Sequence, residues 1–154
     1  MTPARRYLTA QIETDLATKM VFLGGPRQVG KTRLGQSIVA DPRAYLNYDI
    51  AAHRRALVAG QLPPTADWFF DELHKYRGWR NFLKGLYDQY RGQRRILVTG
   101  SARLDLYRYG GDSLRGRYFH LRLHPLSAAE VGAQRRRSHR VAGTVGLPGT
   151  LLRR

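Results

Sequence analysis

Short apolar runs alternate along this chain with longer stretches of helical periodicity. Met20-Val21-Phe22-Leu23, Trp68-Phe69-Phe70 and Ile96-Leu97-Val98-Thr99 have no polar alternation, which predicts strands buried on both faces. Residues 44–49 alternate weakly and predict a further strand, as do residues 118–123. Between these runs the period changes. Over residues 5–18, Leu8, Ile12 and Leu16 fall on one helical face, and over 33–40 Leu34 and Ile38 do the same. Asp41-Pro42 stops that second helix. A short helix is expected over 51–59, ended by Gly60, with Leu62-Pro63-Pro64 as a loop. Residues 77–90 carry Trp79, Phe82, Leu83, Leu86, Tyr87 and Tyr90 on the apolar side of a longer helix, and Leu104 to Tyr107 reads as a helical turn. Strands alternating with helices predict an α/β fold, a parallel sheet of about five strands covered on both faces.

This order ends near Glu130. Residues 131–154 contain no acid and six Arg, with Gly143, Gly146, Pro148 and Gly149 interrupting any period. We therefore expect one domain over 1–130 and a basic, disordered tail over 131–154. The 154 residues, 42 % hydrophobic and 25 % charged, are enough for a packed core. No apolar run is long enough to span a membrane, and Met1 to Lys19 carries Glu13 and Asp15, unlike a secretory signal. With no Cys there is neither a disulfide framework nor a thiolate metal site. These features favour the cytoplasm. The net charge of +16, almost all of it Arg, suits an anionic partner such as nucleic acid. Arg-rich coding explains the same charge, and the basic residues are spread along the chain instead of forming one stripe.

One motif narrows the function sharply. Gly25-Pro26-Arg27-Gln28-Val29-Gly30-Lys31-Thr32 is a complete G-x-x-x-x-G-K-[ST] phosphate-binding loop. It lies between an expected strand and an expected helix beginning at Arg33, the context in which such a loop works. Backbone N–H groups of the loop and helix N-terminus point at phosphates, Lys31 reaches β/γ oxygens, and Thr32 ligates Mg²⁺.

Asp71-Glu72 ends the Trp68-Phe69-Phe70 run about 40 residues later and looks like a Walker B element. There Asp71 orients Mg²⁺ and Glu72 polarises the attacking water. Asp67 interrupts the run and reads as a surface residue at the strand start. Thr99-Gly100-Ser101 follows the next strand, where a hydroxyl reaches the γ-phosphate or water; an ordinary capped turn explains it equally. Arg117, in Ser113-Leu114-Arg115-Gly116-Arg117, is a candidate for stabilising phosphoryl charge in cis or from a neighbouring subunit, against a reading as surface charge. His120 and His124 read as structural, and the aromatics at 68–70 and 79–90 as core.

Several strings in order give a more specific signal: Gly24-Gly25-Pro26-Arg27-Gln28-Val29-Gly30-Lys31-Thr32, Phe70-Asp71-Glu72-Leu73-His74-Lys75, Thr99-Gly100-Ser101, Gly116-Arg117, and Pro125-Leu126-Ser127 followed by Glu130. Through them residues 4–130 resemble the ATPase module of AAA-superfamily proteins of bacteria and archaea. The resemblance implies a P-loop NTPase three-layer sandwich in which another strand separates the Asp71 strand from the phosphate-loop strand. It implies ATP and Mg²⁺ as ligands, with Lys31, Asp71, Glu72 and one residue of Thr99–Ser101 lining the site. It implies an arginine finger at Arg117, compatible with a homo-oligomer. Such proteins continue into a second domain, and the match here fades after Glu130, which puts a lid or effector function in question.

The expectation is therefore Mg-dependent ATP binding at residues 25–33, Thr99 and Ser101, with slow hydrolysis involving Lys31, Glu72 and Arg117. The alternatives are a nucleotide-binding switch with negligible turnover and a DNA-associated module. A small-molecule kinase is disfavoured by the Asp71-Glu72 pair, since such kinases usually lack a Glu placed for water.

Overall fold

The computed structural model describes residues 6–101, 114–126, 130 and 132. The helical turn expected at 104–107 lies outside these residues, as does the tail expected at 131–154 apart from Gly132. Five strands form one parallel sheet: β1 (Met20–Gly24), β2 (Tyr45–Asn47), β3 (Asp67–Asp71), β4 (Arg95–Thr99) and β5 (Tyr118–Arg122), in the spatial order β2-β3-β4-β1-β5. The helices are α1 (Thr9–Leu16), α2 (Lys31–Ile38), α3 (Ala51–Val58) and α4 (Trp79–Tyr90).

The strand residues alternate between two cores, which is why the runs read as continuously apolar. Met20, Phe22, Trp68, Phe70, Ile96 and Val98 pack with Leu57 of α3 and Trp79, Leu83, Leu86 and Tyr87 of α4. Val21, Leu23, Phe69 and Leu97 pack with Ile12 and Leu16 of α1 and Leu34 and Ile38 of α2 on the opposite face. The aromatics at 68–70 and 79–87 are thus core. The three layers of helices, sheet and helices are those of a P-loop NTPase.

Several boundaries differ from expectation by one to four residues, three of them informatively. Helix α1 starts at Thr9 instead of residue 5, and Arg6 and Tyr7 ahead of it reach across to the far side of the phosphate loop. Helix α2 begins at Lys31, two residues early, because Gly30 turns the chain with φ 97° directly at the helix start. Asp67 is the first residue of β3 and pairs with Arg95 of β4 through two contacts of 2.6 Å, so an acid that looked like an interruption is a cross-strand ion pair.

Candidate functional site

All five strands run the same way, so the carboxyl ends of β1, β3 and β4 share one edge of the sheet. Ligands of open α/β sheets bind in the crevice outside these ends. Here β4 lies between β1 and β3, which places the loop after Gly24, the acids after Phe70 and the turn after Val98 side by side.

The loop leaves β1 through Gly25. A Cβ at Gly25, whose φ is 145°, would fall 2.5 Å from the Leu123 carbonyl oxygen, so only glycine fits. Lys31 folds back over the loop it follows. Its Nζ donates to the carbonyls of Gly25 (2.9 Å) and Pro26 (2.6 Å), and the side chain is largely buried. Two of the ammonium's three N–H donors are used this way. Burial pushes the Lys31 pKa down, while the charges of Glu72 and Asp71 work against that shift.

Asp71 is the hub of the site. Its carboxylate accepts hydrogen bonds from Thr32 Oγ1 at 2.7 Å, Tyr45 Oη at 2.9 Å and Thr99 Oγ1 at 2.5 Å, and Asp71 is only 4 % exposed. The three donors come from α2, β2 and β4. Asn47 donates to the Tyr45 hydroxyl at 3.1 Å. Burial and the adjacent Asp71 push the Tyr45 phenol up to about 12.

Glu72 follows with φ 59°, and Gln28 in the loop has the same value. They are the only non-glycine residues with positive φ among the described residues, and both lie at this edge. Left-handed backbone at such residues costs on the order of 1–2 kcal/mol and tends to gather at functional sites. The Glu72 carboxylate sits 3.2 Å from Lys75 Nζ and 3.7 Å from His74 Nε2. Lys75 also bonds Asp49 at 2.7 Å, and Ser101 Oγ lies 3.4 Å from His74 Nε2.

Lys31, Thr32, Asp71 and Thr99 therefore meet, with Glu72 and Ser101 on the same edge. Arg27, Gln28 and Arg33 are exposed on the loop and the first turn of α2. Arg117 does not join them. It precedes β5, its backbone carbonyl accepts from Met20 N at the start of β1, and its guanidinium bonds Asp88 of α4 at 3.0 and 3.4 Å. That is the amino end of the sheet, a strand length or about 16 Å from the loop at ~3.3 Å per residue. Of the two roles open for Arg117, in cis or from a neighbouring subunit, this placement keeps its guanidinium away from the phosphate loop of its own chain, because in a parallel sheet a residue before a strand and a loop after one lie at opposite edges. Tyr45, Asn47, His74 and Lys75 are the residues that sequence reasoning missed here. The weak alternation of 44–49 put Tyr45 on a strand, but only the register places it diagonally from Asp71.

Hydroxyl and carboxylate oxygens are hard ligands suited to Mg²⁺, and an ammonium beside a helix N-terminus suits phosphate oxygens. A crevice of this chemistry at the carboxyl edge of a three-layer parallel sheet defines a nucleotide-binding protein of the P-loop class. The model of the AAA domain matches residues 17–132, and the chain belongs to that family. No curated protein matches the chain at a significant level. Among the described residues no helix is long and apolar enough to cross a membrane.

Proposed function

We propose that this chain binds Mg·ATP at residues 25–33 and hydrolyses it slowly to ADP and phosphate. The observation that carries the reading is the Thr32–Asp71 contact of 2.7 Å beside the buried Lys31 ammonium. It brings the hydroxyl from the loop's end and the carboxylate from β3 to one point, where both would hold Mg²⁺, directly or through water. The third N–H of Lys31 would serve a β/γ oxygen, and the amides at the start of α2 would serve the neighbouring oxygens. Bound Mg²⁺ supplies charge neutralisation at the phosphates. Thr99, bonded to Asp71, keeps that carboxylate turned toward Thr32. Glu72 would accept the proton of the attacking water.

A second reading, a switch with negligible turnover, is favoured by one observation. The Glu72 carboxylate is held by Lys75 and lies close to His74, so it must leave these partners before it can act as a base. Binding and turnover separate the two. Calorimetry should give Mg-dependent ATP binding that Lys31→Ala weakens at least about tenfold, from the ~1.5–3 kcal/mol of a hydrogen bond to a charged group. Glu72→Gln should retain binding and lose phosphate release. Equal ATP affinity for wild type and Lys31→Ala sinks the reading. Wild-type binding with no measurable phosphate release selects the switch.

A further inference from the structure

Arg6 precedes α1 and is remote in sequence from every residue of the site, yet its guanidinium ends against the phosphate loop. Its three nitrogens reach three different acceptors. NH1 donates to the Val29 carbonyl at 2.9 Å, NH2 to the His124 carbonyl at 2.7 Å, and Nε to Glu130 Oε1 at 3.0 Å. The side chains of Arg6 and Glu130 are only 11 % and 13 % exposed. Glu130 also accepts from the Tyr7 backbone N–H at 3.2 Å. Tyr7 Oη donates to the Arg122 carbonyl at 3.3 Å and lies 3.2 Å from His124 N, which donates to it. The segment ahead of α1 is thus stitched both to the loop and to the chain leaving β5.

We propose that Arg6 is a positioning residue for the phosphate loop, setting the orientation of the Val29–Gly30 peptide and through it the affinity for the nucleotide's phosphates. The proposal rests on the Mg·ATP reading above. A trans peptide is planar, with its C=O and N–H pointing opposite ways. Fixing the Val29 carbonyl on Arg6 therefore turns the Gly30 N–H away from Arg6 and prevents the unit from rotating. Gly30, with φ 97°, has no Cβ to limit its backbone, so outside support has most effect there. Arg6 NH1 would also lie 3.3 Å from any Cβ at position 30, so the guanidinium packs directly on this turn. Three acceptors spread around one planar fork cannot be matched by the single point of a lysine ammonium. Glu130 holds the fork in place. The effect is one of geometry, distinct from the attraction that any cation near the loop would exert on phosphate.

Arg6→Lys separates geometry from charge, and two measurements on the full chain decide. The first is hydrogen exchange of the amides at 27–32 without nucleotide. It should quicken about tenfold in Arg6→Lys, with β3 and α4 unchanged as an internal check that the domain is folded. The second is calorimetric Mg·ATP binding, which should weaken about tenfold in Arg6→Lys, the loss expected for one hydrogen bond to a charged group. Glu130→Gln, which keeps the acceptor oxygen but removes its charge, should show the same two effects at smaller size. Unchanged exchange in Arg6→Lys overturns the proposal, and so does wild-type ATP affinity in that variant, which would mean that charge alone matters. If exchange quickens while wild-type protein fails to bind ATP, the clip on the loop stands and the Mg·ATP reading falls.

Discussion

Gly35 tests how closely the site depends on packing behind it. It lies in the second turn of α2, and a Cβ built on it would fall 2.3 Å from Cζ of the Phe69 ring and 2.4 and 2.9 Å from its two Cε atoms. Ordinary carbon contacts are about 3.5–4.0 Å, so Gly35→Ala needs a separation of roughly 1 Å or more. The ring has nowhere to go, because Phe69 is fully buried between α2 and the sheet. Alanine's helix propensity returns ~1 kcal/mol relative to glycine. Overpacking costs about 1–3 kcal/mol, and at this degree of overlap the upper end applies. The net expectation is a loss of about 1–2 kcal/mol, or a fall of about 3–8 °C in Tm by calorimetry. Phe69 and Asp71 stand two residues apart on one face of β3, so moving α2 off Phe69 also draws Thr32 away from Asp71. Mg·ATP affinity should fall together with Tm. A Gly35→Ala protein with a Tm equal to or above that of wild type would show that the close approach of α2 to β3 does not constrain this fold, and would refute the reasoning.

Three further outcomes are expected. Tyr45 holds its phenolic proton more tightly folded than unfolded, so its contribution to stability is complete below its ordinary pKa of 10.0 and is lost as pH rises through about 12; in an ultraviolet titration, Tyr45→Phe should remove a phenol that ionises last, and removal of an early one contradicts this. Lys75, 40 % exposed, holds Glu72 through a pair of the kind worth at most ~1 kcal/mol, so Lys75→Ala should raise turnover by no more than about fivefold if release of Glu72 limits the rate, and a slower variant would show instead that Lys75 assists. Arg117→Ala should leave ATP affinity and the rate at low protein concentration unchanged, since Arg117 bonds Asp88 at the far edge; a per-subunit rate that rises with concentration and loses that rise in Arg117→Ala would assign Arg117 to the site of a neighbouring copy.

The parts of the site that are contiguous in sequence were legible in it. The strand, loop and helix around Lys31 carry their own signals, and Phe69 and Phe70 followed by Asp71 read correctly as a buried strand ending in an acid. Legibility stops where register and chain crossing decide. Tyr45 reaches Asp71 only because β2 pairs with β3 such that Asn47 lies opposite Asp71, and nothing local to 44–49 specifies that offset. Arg6 finds acceptors at Val29, His124 and Glu130, and in a chain this rich in arginine one more has no distinguishing mark. Arg117 is a different case. Its position before β5 is enough, given parallel strands, to place it at the amino edge, whereas the Gly116-Arg117 string carries no information about strand direction.

The ring of partners around Asp71 has a consequence for how the site changes state. Every side-chain partner of this carboxylate among the described residues is a hydroxyl. A guanidinium or ammonium there would neutralise the carboxylate and hold it in a stiff, charged embrace. Hydroxyls leave its full negative charge in place, and each can reverse its role by a turn about one C–O bond, offering a lone pair where it had offered a proton. If the site takes Mg²⁺ as proposed, the arriving cation would recruit Thr32 from donor to ligand by a torsional flip, on the timescale of side-chain rotation. The scaffold of strands and α2 would then stay where it is, and the change on binding would lie mainly in the directions of a few hydrogens.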